Sequence, residues 1–267
     1  MAQEHPYQER KDSYFEFQKI YRSVYGEAFP RMTFNLDDRG SSAWPGAKEC
    51  SMCYRKDEPD RKRFVGPDFS FWHWPRCGVR LSAETFAQIS EAGESEPASD
   101  KVAWFGNVES AGRNLPESIT RPMLVEISRA HPDKFDFRHA GPGAAGSDIY
   151  ISMPELARKY RYLLDIGGAG YSGRLKFLLF SNRPLFLVDR LYVEYFHEDL
   201  KPFVHFIPVA SDLSDLLEKH EWVVSHREEA EKMAKNAKIY ALENITVRKA
   251  IERLRVVFDN YSSEIKK

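Results

Sequence analysis

Residues 161–180 read RYLLDIGGAGYSGRLKFLLF, and this stretch decides the fold. The apolar run at 161–166 predicts a buried strand, residues 167–173 a glycine-rich loop, and the residues from Arg174 onward a helix. Glycines let a backbone approach a phosphate closely, and a helix N-terminus offers free N–H groups. Ser172 adds a hydroxyl, and Arg174 adds a forked charge that suits phosphate. The spacing is neither that of a Walker A loop nor a strict dinucleotide-binding fingerprint, so phosphate binding and a plain flexible turn both stay open.

On both sides of this loop, apolar runs alternate with amphipathic stretches, which predicts an α/β chain with a parallel, doubly wound sheet. Downstream strands are expected at 184–188 and 203–209, with helices at 192–200, 211–224, 226–243 and 246–262. Ser211 stands where the N-cap of the 211–224 helix is expected. Upstream, we expect a helix within residues 1–30, strands at 31–36 and 101–106, a loop at 40–70 and a helix at 116–130.

Composition limits the function classes. The 267 residues allow one or two domains. The charges are 39 Lys+Arg against 40 Asp+Glu, which argues against a nucleic-acid binder that works by overall positive charge. No apolar run is long enough for a membrane-spanning helix. The charged N-terminal stretch and the low count of 3 Cys predict a cytoplasmic setting without a disulfide framework.

The first candidate for chemistry is the acidic pair Asp37 and Asp38, directly after the strand expected at 31–36. A carboxylate at the carboxyl end of a strand lies where ligands of α/β sheets bind, and it could act as a general base. The alternative is that both residues simply form a turn, and the residues alone favour that alternative.

Other candidates are weaker. Asn107 follows a glycine after the strand at 101–106, and Arg113 could reach an anionic ligand, or both could lie in a solvated loop. The aromatic residues at 69–74 could stack on a sugar, although such clusters are more often core, and His205 is interpreted as a core histidine. Four residues have ligand types and spacing compatible with a structural zinc site, but free thiols are the favoured interpretation. These four are Cys50, Cys53, His73 and Cys77.

Two long segments resemble glycosyltransferase family 90, which includes the fungal capsule-associated CAP10 proteins, the animal protein O-glucosyltransferases and bacterial lipopolysaccharide transferases. They are KYRYLLDIGGAGYSGR at 159–174 and LKPFVHFIPVASDLSDL at 200–216. Similarity is dense over residues 155–245 and thins toward the N-terminus. Earlier motifs that also look like the family are residues 35–38, Phe71-Trp72, Trp74-Pro75, and 104–107 with Arg113.

The resemblance implies a GT-B fold, in which two Rossmann-like domains face each other across a cleft. It implies metal-independent, inverting transfer from a nucleotide sugar, with UDP as the expected nucleotide and no other cofactor. The family's base falls on Asp38, with Asp37 as the next candidate, and two nucleotide-sugar contacts fall on Asn107 and Arg113. The segment that holds the diphosphate maps to Ala169, Gly170, Tyr171, Ser172, Gly173 and Arg174.

The acceptor cannot be carried over from the animal enzymes, which have an Arg where this chain has Gly106. The bacterial branch is the better match, so we expect a glycan or lipid-linked saccharide acceptor such as lipopolysaccharide. Transient contact with the inner membrane face could use the basic residues within 55–63, which could equally be an ordinary charged loop. A catalytically silent glycan- or nucleotide-binding protein and a zinc-organised interaction domain remain alternatives.

We expect two domains, 1–145 on the acceptor side and 146–267 on the nucleotide-sugar side. The boundary is placed in HAGPGAAG at 139–146, and the last helix is expected to cross back to the first domain.

Overall fold

The computed structural model describes residues 7–40, 49–111, 115–141, 144–147 and 149–265. The helices of these residues are α1 Gln8–Tyr25, α2 Ser82–Ala92, α3 Glu117–Ala130, α4 Met153–Lys159, α5 Leu175–Leu178, α6 Leu216–Ser225, α7 Arg227–Asn244 and α8 Val247–Ile265. Their strands are β1 Thr33–Asn35, β2 Glu49–Ser51, β3 Tyr54–Arg55, β4 Ser99–Gly106, β5 Phe135–His139, β6 Tyr160–Asp165, β7 Leu185–Val188, β8 Tyr192–Val193 and β9 Ile207–Val209.

Five strands form a parallel sheet in the order β5-β4-β6-β7-β9. Counted along the chain, this is the 2-1-3-4-5 order of a doubly wound sheet, and the order reverses between β4 and β6. Helices α3 and α6 cover one face, and α2, α4, α5 and α8 contribute to the apolar cluster on the other. The α/β class with a parallel sheet is therefore confirmed. Ligands of such sheets bind outside the carboxyl ends of the strands where the order reverses.

The boundary predicted near residue 145 falls inside this sheet. Strands β4 and β5 precede it and β6 follows it, yet β4 pairs in parallel with both, so that Ala103 lies opposite Asp136 on one side and Leu163 on the other. A division into 1–145 and 146–267 would cut through these strand pairs and is wrong as a boundary between sheets.

The residues before α2 include the segments that face the carboxyl ends of the sheet. They carry α1 and the short strand pair β1–β2, while β3 pairs with β8. Phe17 and Tyr21 of α1 are fully buried in the same apolar cluster as Leu163 of β6 and Leu254 of α8. Helix α8 returns to this segment, where Arg253 Nε donates to the Val65 carbonyl at 2.7 Å.

Three local predictions near the chain's second half are corrected. Residues 192–200 form the short strand β8 and a 3-10 turn instead of a helix, because β8 pairs antiparallel with β3. The strand predicted at 203–209 begins only at Ile207, since Phe203 has a left-handed φ of 56°. Ser211 is not an N-cap, because α6 begins at Leu216. In each case a tertiary contact or a turn overrides the local pattern.

A buried ionic cluster joins α5 to the segment before α2. Lys176 Nζ lies 3.1 Å from Asp68 Oδ2 and 2.9 Å from Glu194 Oε1, and these three side chains are almost fully buried. Lys176 also donates to the Gly173 carbonyl at 2.9 Å, at the end of the glycine-rich loop. Burial by itself would lower the pKa of Lys176, but the two carboxyl groups raise it. The cluster therefore holds the loop against residue 68 through a charge that has little water around it.

Lys176→Met is expected to destabilise the fold by about 3–5 kcal/mol, because removing the cation leaves the buried Asp68 carboxylate uncompensated. Urea denaturation measures this, and Lys19→Met is the matched control because Lys19 pairs with Glu16 at the exposed surface. The control is expected to lose about 0–1 kcal/mol. Equal losses in the two variants would show that the buried cluster contributes nothing special.

Glu194 gives the cluster a pH dependence. Burial raises the pKa of Glu194 to about 8, against the attraction of Lys176, whereas an unfolded Glu titrates near about 4.3. Between these two pKa values the folded state binds a proton that the unfolded state has lost. The contribution of Glu194 to the free energy of unfolding is therefore complete below the unfolded pKa and is lost as the pH rises toward 8. The stability of Glu194→Gln, measured by urea titration, is therefore expected to increase relative to that of the natural protein as the pH rises from 5 to 8.5. Parallel pH profiles for the two proteins would contradict this assignment.

Candidate functional site

A cleft of about 320 Å³ opens at the carboxyl ends of β4 and β6, where the strand order reverses. One wall consists of the residues that follow these strands, including Asn107 and Arg174. A second wall comes from the N-terminal segment, through Arg10, Asp38 and Trp74. The fold therefore brings the glycine-rich loop and the early acidic residue to one cavity, although they are far apart in sequence.

The glycine-rich loop is in direct contact with the residue that carries the candidate base. A Cβ atom on Gly170 would overlap the Asp38 carbonyl oxygen, and it would come within 3.1 Å of the Arg39 nitrogen. The next residue, Tyr171, donates its backbone N–H to the same Asp38 carbonyl at 3.4 Å. Gly170 is thus needed for the close approach of two backbones, so this loop is more than a flexible turn.

Asp165, the last residue of β6, organises the cationic side of the cleft. Its Oδ1 accepts from Ser172 Oγ at 2.8 Å and lies 3.8 Å from Arg174 Nε. Its Oδ2 lies 2.8 Å from Arg190 Nη1, and all of Asp165 is buried. The Ser172 hydroxyl, which the sequence suggests for phosphate, therefore donates to a carboxylate and helps to fix the loop.

Arg121, which the sequence analysis did not select, joins the two loops that line the cleft. It donates from Nε to the Gly167 carbonyl at 2.8 Å and from Nη1 to the Asn107 carbonyl at 2.6 Å. Its position in the interior of α3 gave no sequence signal. Burial, with help from the nearby Arg174, lowers its pKa to about 10.

Two guanidinium groups share one aromatic ring at the base of the cleft. The Cζ atoms of Arg121 and Arg174 lie 5.4 Å and 5.9 Å from the Trp104 ring centroid. Arg174 also donates to the Phe105 carbonyl at 2.6 Å, and burial lowers its pKa. With Arg190 nearby, three guanidinium groups lie near two buried carboxyl groups, Asp165 and Glu117, so these side chains carry an excess of positive charge. Such an arrangement suits a ligand with more than one negative charge.

The acidic pair after β1 divides into two different roles. Asp37 is exposed and its Oδ1 accepts the Arg39 backbone N–H at 2.8 Å, as expected for a turn residue. Asp38 lines the cleft, where its Oδ1 lies 2.7 Å from Arg10 Nη2 and 35% of its side chain is exposed. Burial raises the pKa of Asp38, whereas Arg10 opposes that rise. Of the two, Asp38 has the position of a group that can exchange a proton with a ligand.

The remaining predicted contacts are placed as follows. Asn107 lines the cleft, and its Oδ1 accepts the Glu109 backbone N–H at 2.9 Å. Ala169, Tyr171 and Gly173 also line it. Arg113 lies outside the described residues, so its place is not assigned. From the aromatic cluster, Phe69 and Trp74 face the cleft whereas Phe71 is fully buried core.

The zinc alternative receives no support from the described residues, where no three His, Cys, Asp or Glu side chains are arranged to hold a metal ion. Burial raises the pKa values of the Cys50 and Cys77 thiols to about 12. Cys53 donates to the Asp38 carbonyl, and His73 Nε2 lies 3.1 Å from the Glu9 carbonyl. These side chains therefore serve packing and local hydrogen bonding.

The surface features of the sequence also have local partners. Lys56 pairs with Asp189, and Lys62 Nζ lies 2.8 Å from Glu198. His205 is half-buried and does not lie in the core. Its Nδ1 accepts the Lys201 backbone N–H. No helix within the described part of the chain combines the length and apolar character that crossing a membrane requires.

Comparison with known proteins gives a family and several curated relatives. A sequence model of glycosyl transferase family 90 matches residues 51–267. Protein O-glucosyltransferase 2 of Danio rerio is 43% identical over 135 residues, which are 51% of this chain and 27% of the relative. Protein O-glucosyltransferase 1 of Rattus norvegicus is 36% identical over 144 residues, which are 50% of this chain and 35% of the relative. The chain thus spans about a third or less of the length of these relatives.

Solved structures give more distant likenesses. The Anabaena protein HepE in complex with UDP-glucose has a TM-score of 0.41 at 11% identity, covering 70% of this chain and 46% of HepE. The C-terminal domain of LpcC, a glycosyl transferase group 1 family protein of Francisella tularensis, has a TM-score of 0.39 at 11% identity, covering 60% and 92%. At this distance neither structure assigns a role to a residue of this chain.

Gly170→Ala is expected to destabilise the protein by about 1–3 kcal/mol, because the new methyl group must push the Asp38 backbone away. Gly168→Ala is the matched control in the same loop, since its nearest neighbour, the Ser110 carbonyl oxygen, would lie at 3.4 Å, an ordinary contact. Chemical denaturation compares the two variants. Equal stability would mean that the loop and residue 38 do not touch in solution.

Proposed function

The chain belongs to glycosyl transferase family 90, and from that premise we propose that it is an inverting glycosyltransferase that uses a nucleotide-activated sugar, with UDP as the nucleotide. One observation carries the proposal. The cleft at the sheet's carboxyl edge brings the Asp38 carboxylate into one cavity with the guanidinium groups of Arg121 and Arg174. Sugar transfer from a nucleotide diphosphate needs a group to accept a proton and positive charge to stabilise the leaving group.

We assign the diphosphate to the cationic side of the cleft. Arg174 and Arg121 lie in a largely desolvated pocket, where each charge acts on a ligand more strongly than it would in water. The loop at 167–173 adds backbone at close range, because its glycines leave room for phosphate oxygens. As the bond from the sugar to the diphosphate breaks, negative charge grows on the leaving oxygen, and the two guanidinium groups stabilise it.

We assign the proton transfer to Asp38. An acceptor hydroxyl oxygen attacks the anomeric carbon, the bond from that carbon to the diphosphate oxygen breaks, and the hydroxyl proton passes to the carboxylate. One displacement of this kind inverts the configuration at the anomeric carbon. Asp38 and the cationic side chains line the same cleft, so a proton acceptor and a cationic site for the leaving group face one cavity.

The acceptor is proposed by class. Phe69 and Trp74 line the cleft beside Asp38 and offer aromatic surface for the apolar face of a sugar ring. We propose a hydroxyl of a glycan or of a lipid-linked saccharide such as lipopolysaccharide, met by a cytoplasmic enzyme at the inner membrane face. Because Lys56 and Lys62 are ion-paired, the cleft and not the 55–63 surface is the expected site of acceptor selection.

Arg174→Ala is expected to weaken UDP binding by about tenfold or more, since a charge-assisted hydrogen bond to phosphate is worth about 1.5–3 kcal/mol. Isothermal titration measures this, after a thermal-shift comparison of UDP, GDP and CMP identifies the nucleotide. Arg129→Ala is the control, because Arg129 is exposed on α3 and pairs only locally with Glu126. Unchanged UDP affinity in Arg174→Ala would contradict the placement of the diphosphate.

Asp38→Asn is expected to bind UDP normally and to lower turnover by about 10²–10⁴-fold, the usual contribution of a general base. UDP release from UDP-glucose, UDP-galactose and UDP-xylose, with water or simple glycosides as acceptors, measures turnover. Asp37→Asn is the matched control and is expected to retain activity. Full turnover in Asp38→Asn would move the base to Asp37, and UDP binding without any turnover in the natural protein would favour a silent binding protein.

A further inference from the structure

Helix α1 places one arginine against the candidate base. Arg10 Nη2 lies 2.7 Å from Asp38 Oδ1, and Arg10 Nη1 donates to the Leu36 carbonyl two residues earlier. The guanidinium fork therefore holds both the carboxylate and the backbone that carries it. Only 16% of the Arg10 side chain is exposed, and it lines the cleft. Both residues precede the region that the family model matches, which begins at residue 51.

The position of Arg10 is fixed by the packing of its helix. Tyr14, one turn later, donates its hydroxyl to the Pro67 carbonyl at 2.7 Å and lies against Phe34 of β1 with 4.7 Å between ring centroids. The Arg10 Cζ atom lies 5.0 Å from the Phe69 ring centroid. Because α1 packs on β1 through Tyr14 and the Arg10 guanidinium group packs on Phe69, this group has little freedom to leave Asp38.

The nearby carboxyl groups disfavour the ionised form of Asp38. Asp37 in its own turn and Asp68 from the next segment are carboxyl groups, and both raise its pKa. The Cys53 thiol donates to its carbonyl, and the Tyr171 backbone N–H donates to the same atom, so neither contact neutralises the carboxylate. Arg10 is the cation paired with Asp38 among the described residues.

We propose that Arg10 is a positioning residue of the transfer reaction, which orients the Asp38 carboxylate and keeps it ionised so that it can accept the acceptor's proton. This inference rests on the proposed function, because it assigns Asp38 as the base. It makes helix α1 part of the active site and not only a covering element. In the step concerned, the acceptor oxygen bonds to the anomeric carbon, UDP leaves with its electron pair, and the proton moves to the Asp38 oxygen.

The test is the pH dependence of kcat/KM for Arg10→Gln, measured as UDP release with the UDP-sugar of highest turnover. An opposite charge in contact shifts a carboxyl pKa by about 1–3 units, so the acid limb is expected to move upward by about that amount. Activity is then lost mainly at low pH and recovers at high pH, with UDP affinity unchanged. Lys11→Gln removes the same charge from the exposed neighbouring position of α1 and is expected to leave the profile in place.

A uniform loss of activity at all pH values, or an acid limb that does not move, overturns the positioning role. If Arg10→Gln does not fold, Arg10→Lys gives the test alone. A compact charge without the fork is expected to keep the acid limb within about one pH unit and to lower the plateau several-fold. A plateau equal to that of the natural protein overturns the inference.

Failure of the proposed function has a different signature. A natural protein that binds no UDP, or an Asp38→Asn variant with full turnover, contradicts the function itself. Normal UDP binding and an inactive Asp38→Asn variant, together with an unshifted Arg10→Gln profile, contradict only the role of Arg10.

Discussion

The burial of Lys176 between Asp68 and Glu194 is the constraint on which the cleft depends. This ammonium group sits one turn after the glycine-rich loop and also holds the Gly173 carbonyl. A buried charge of this kind is costly unless every partner stays in place. The loop that ends the central strand and the segment that carries Phe69 and Trp74 are thereby kept at one separation. At that separation Gly170 closely approaches the Asp38 backbone, with no room for a Cβ atom between them.

The cationic side of the cleft also consists of buried charged groups, but here the positive charges outnumber the negative ones. Asp165 forms ion pairs with Arg190 and Arg174, while Arg121 donates hydrogen bonds to the carbonyls of two loops. Burying several guanidinium groups around fewer carboxyl groups costs stability, as the lowered pKa values of Arg121 and Arg174 indicate. A site that stores such a cost binds an anionic ligand more tightly, because the ligand supplies the missing negative charge. In the proposed reaction, that ligand is a diphosphate.

Sequence predicted the features that depend on local chemistry. The strand, glycine-rich loop and helix around residues 161–178 follow from residue pattern alone, and so does the short strand before Asp38. The domain boundary failed, because the residues at 139–146 resemble a linker while the hydrogen bonds that pair β4 with β6 are not visible in sequence. Arg121 and Arg10 were missed for the same reason: each looks like a helix-surface arginine until the partner elements are in place. The residue pattern alone could not distinguish Asp37 from Asp38 either. The two differ only in the direction that each side chain takes from the same turn.

The two walls also differ in what their chemistry allows to vary. In the proposed reaction, the donor wall belongs to the rigid parallel sheet and the loops that follow its strands, where a diphosphate demands fixed backbone and fixed charge. The second wall comes from α1, the turn at 35–40 and the 68–74 segment, which are joined to the sheet and its loops by side-chain contacts and by the backbone contact of Tyr171 with Asp38, and not by strand pairing. Acceptors differ in shape far more than nucleotide diphosphates do, so an enzyme can change acceptor by altering this wall while the donor wall stays the same. In the proposed reaction, the carboxylate is the one element of that wall that cannot vary freely, since its oxygen must stay within reach of the reacting sugar and acceptor. A salt bridge from a packed helix, such as Arg10 makes to Asp38, is a means of keeping that one group fixed on a wall whose other residues can change.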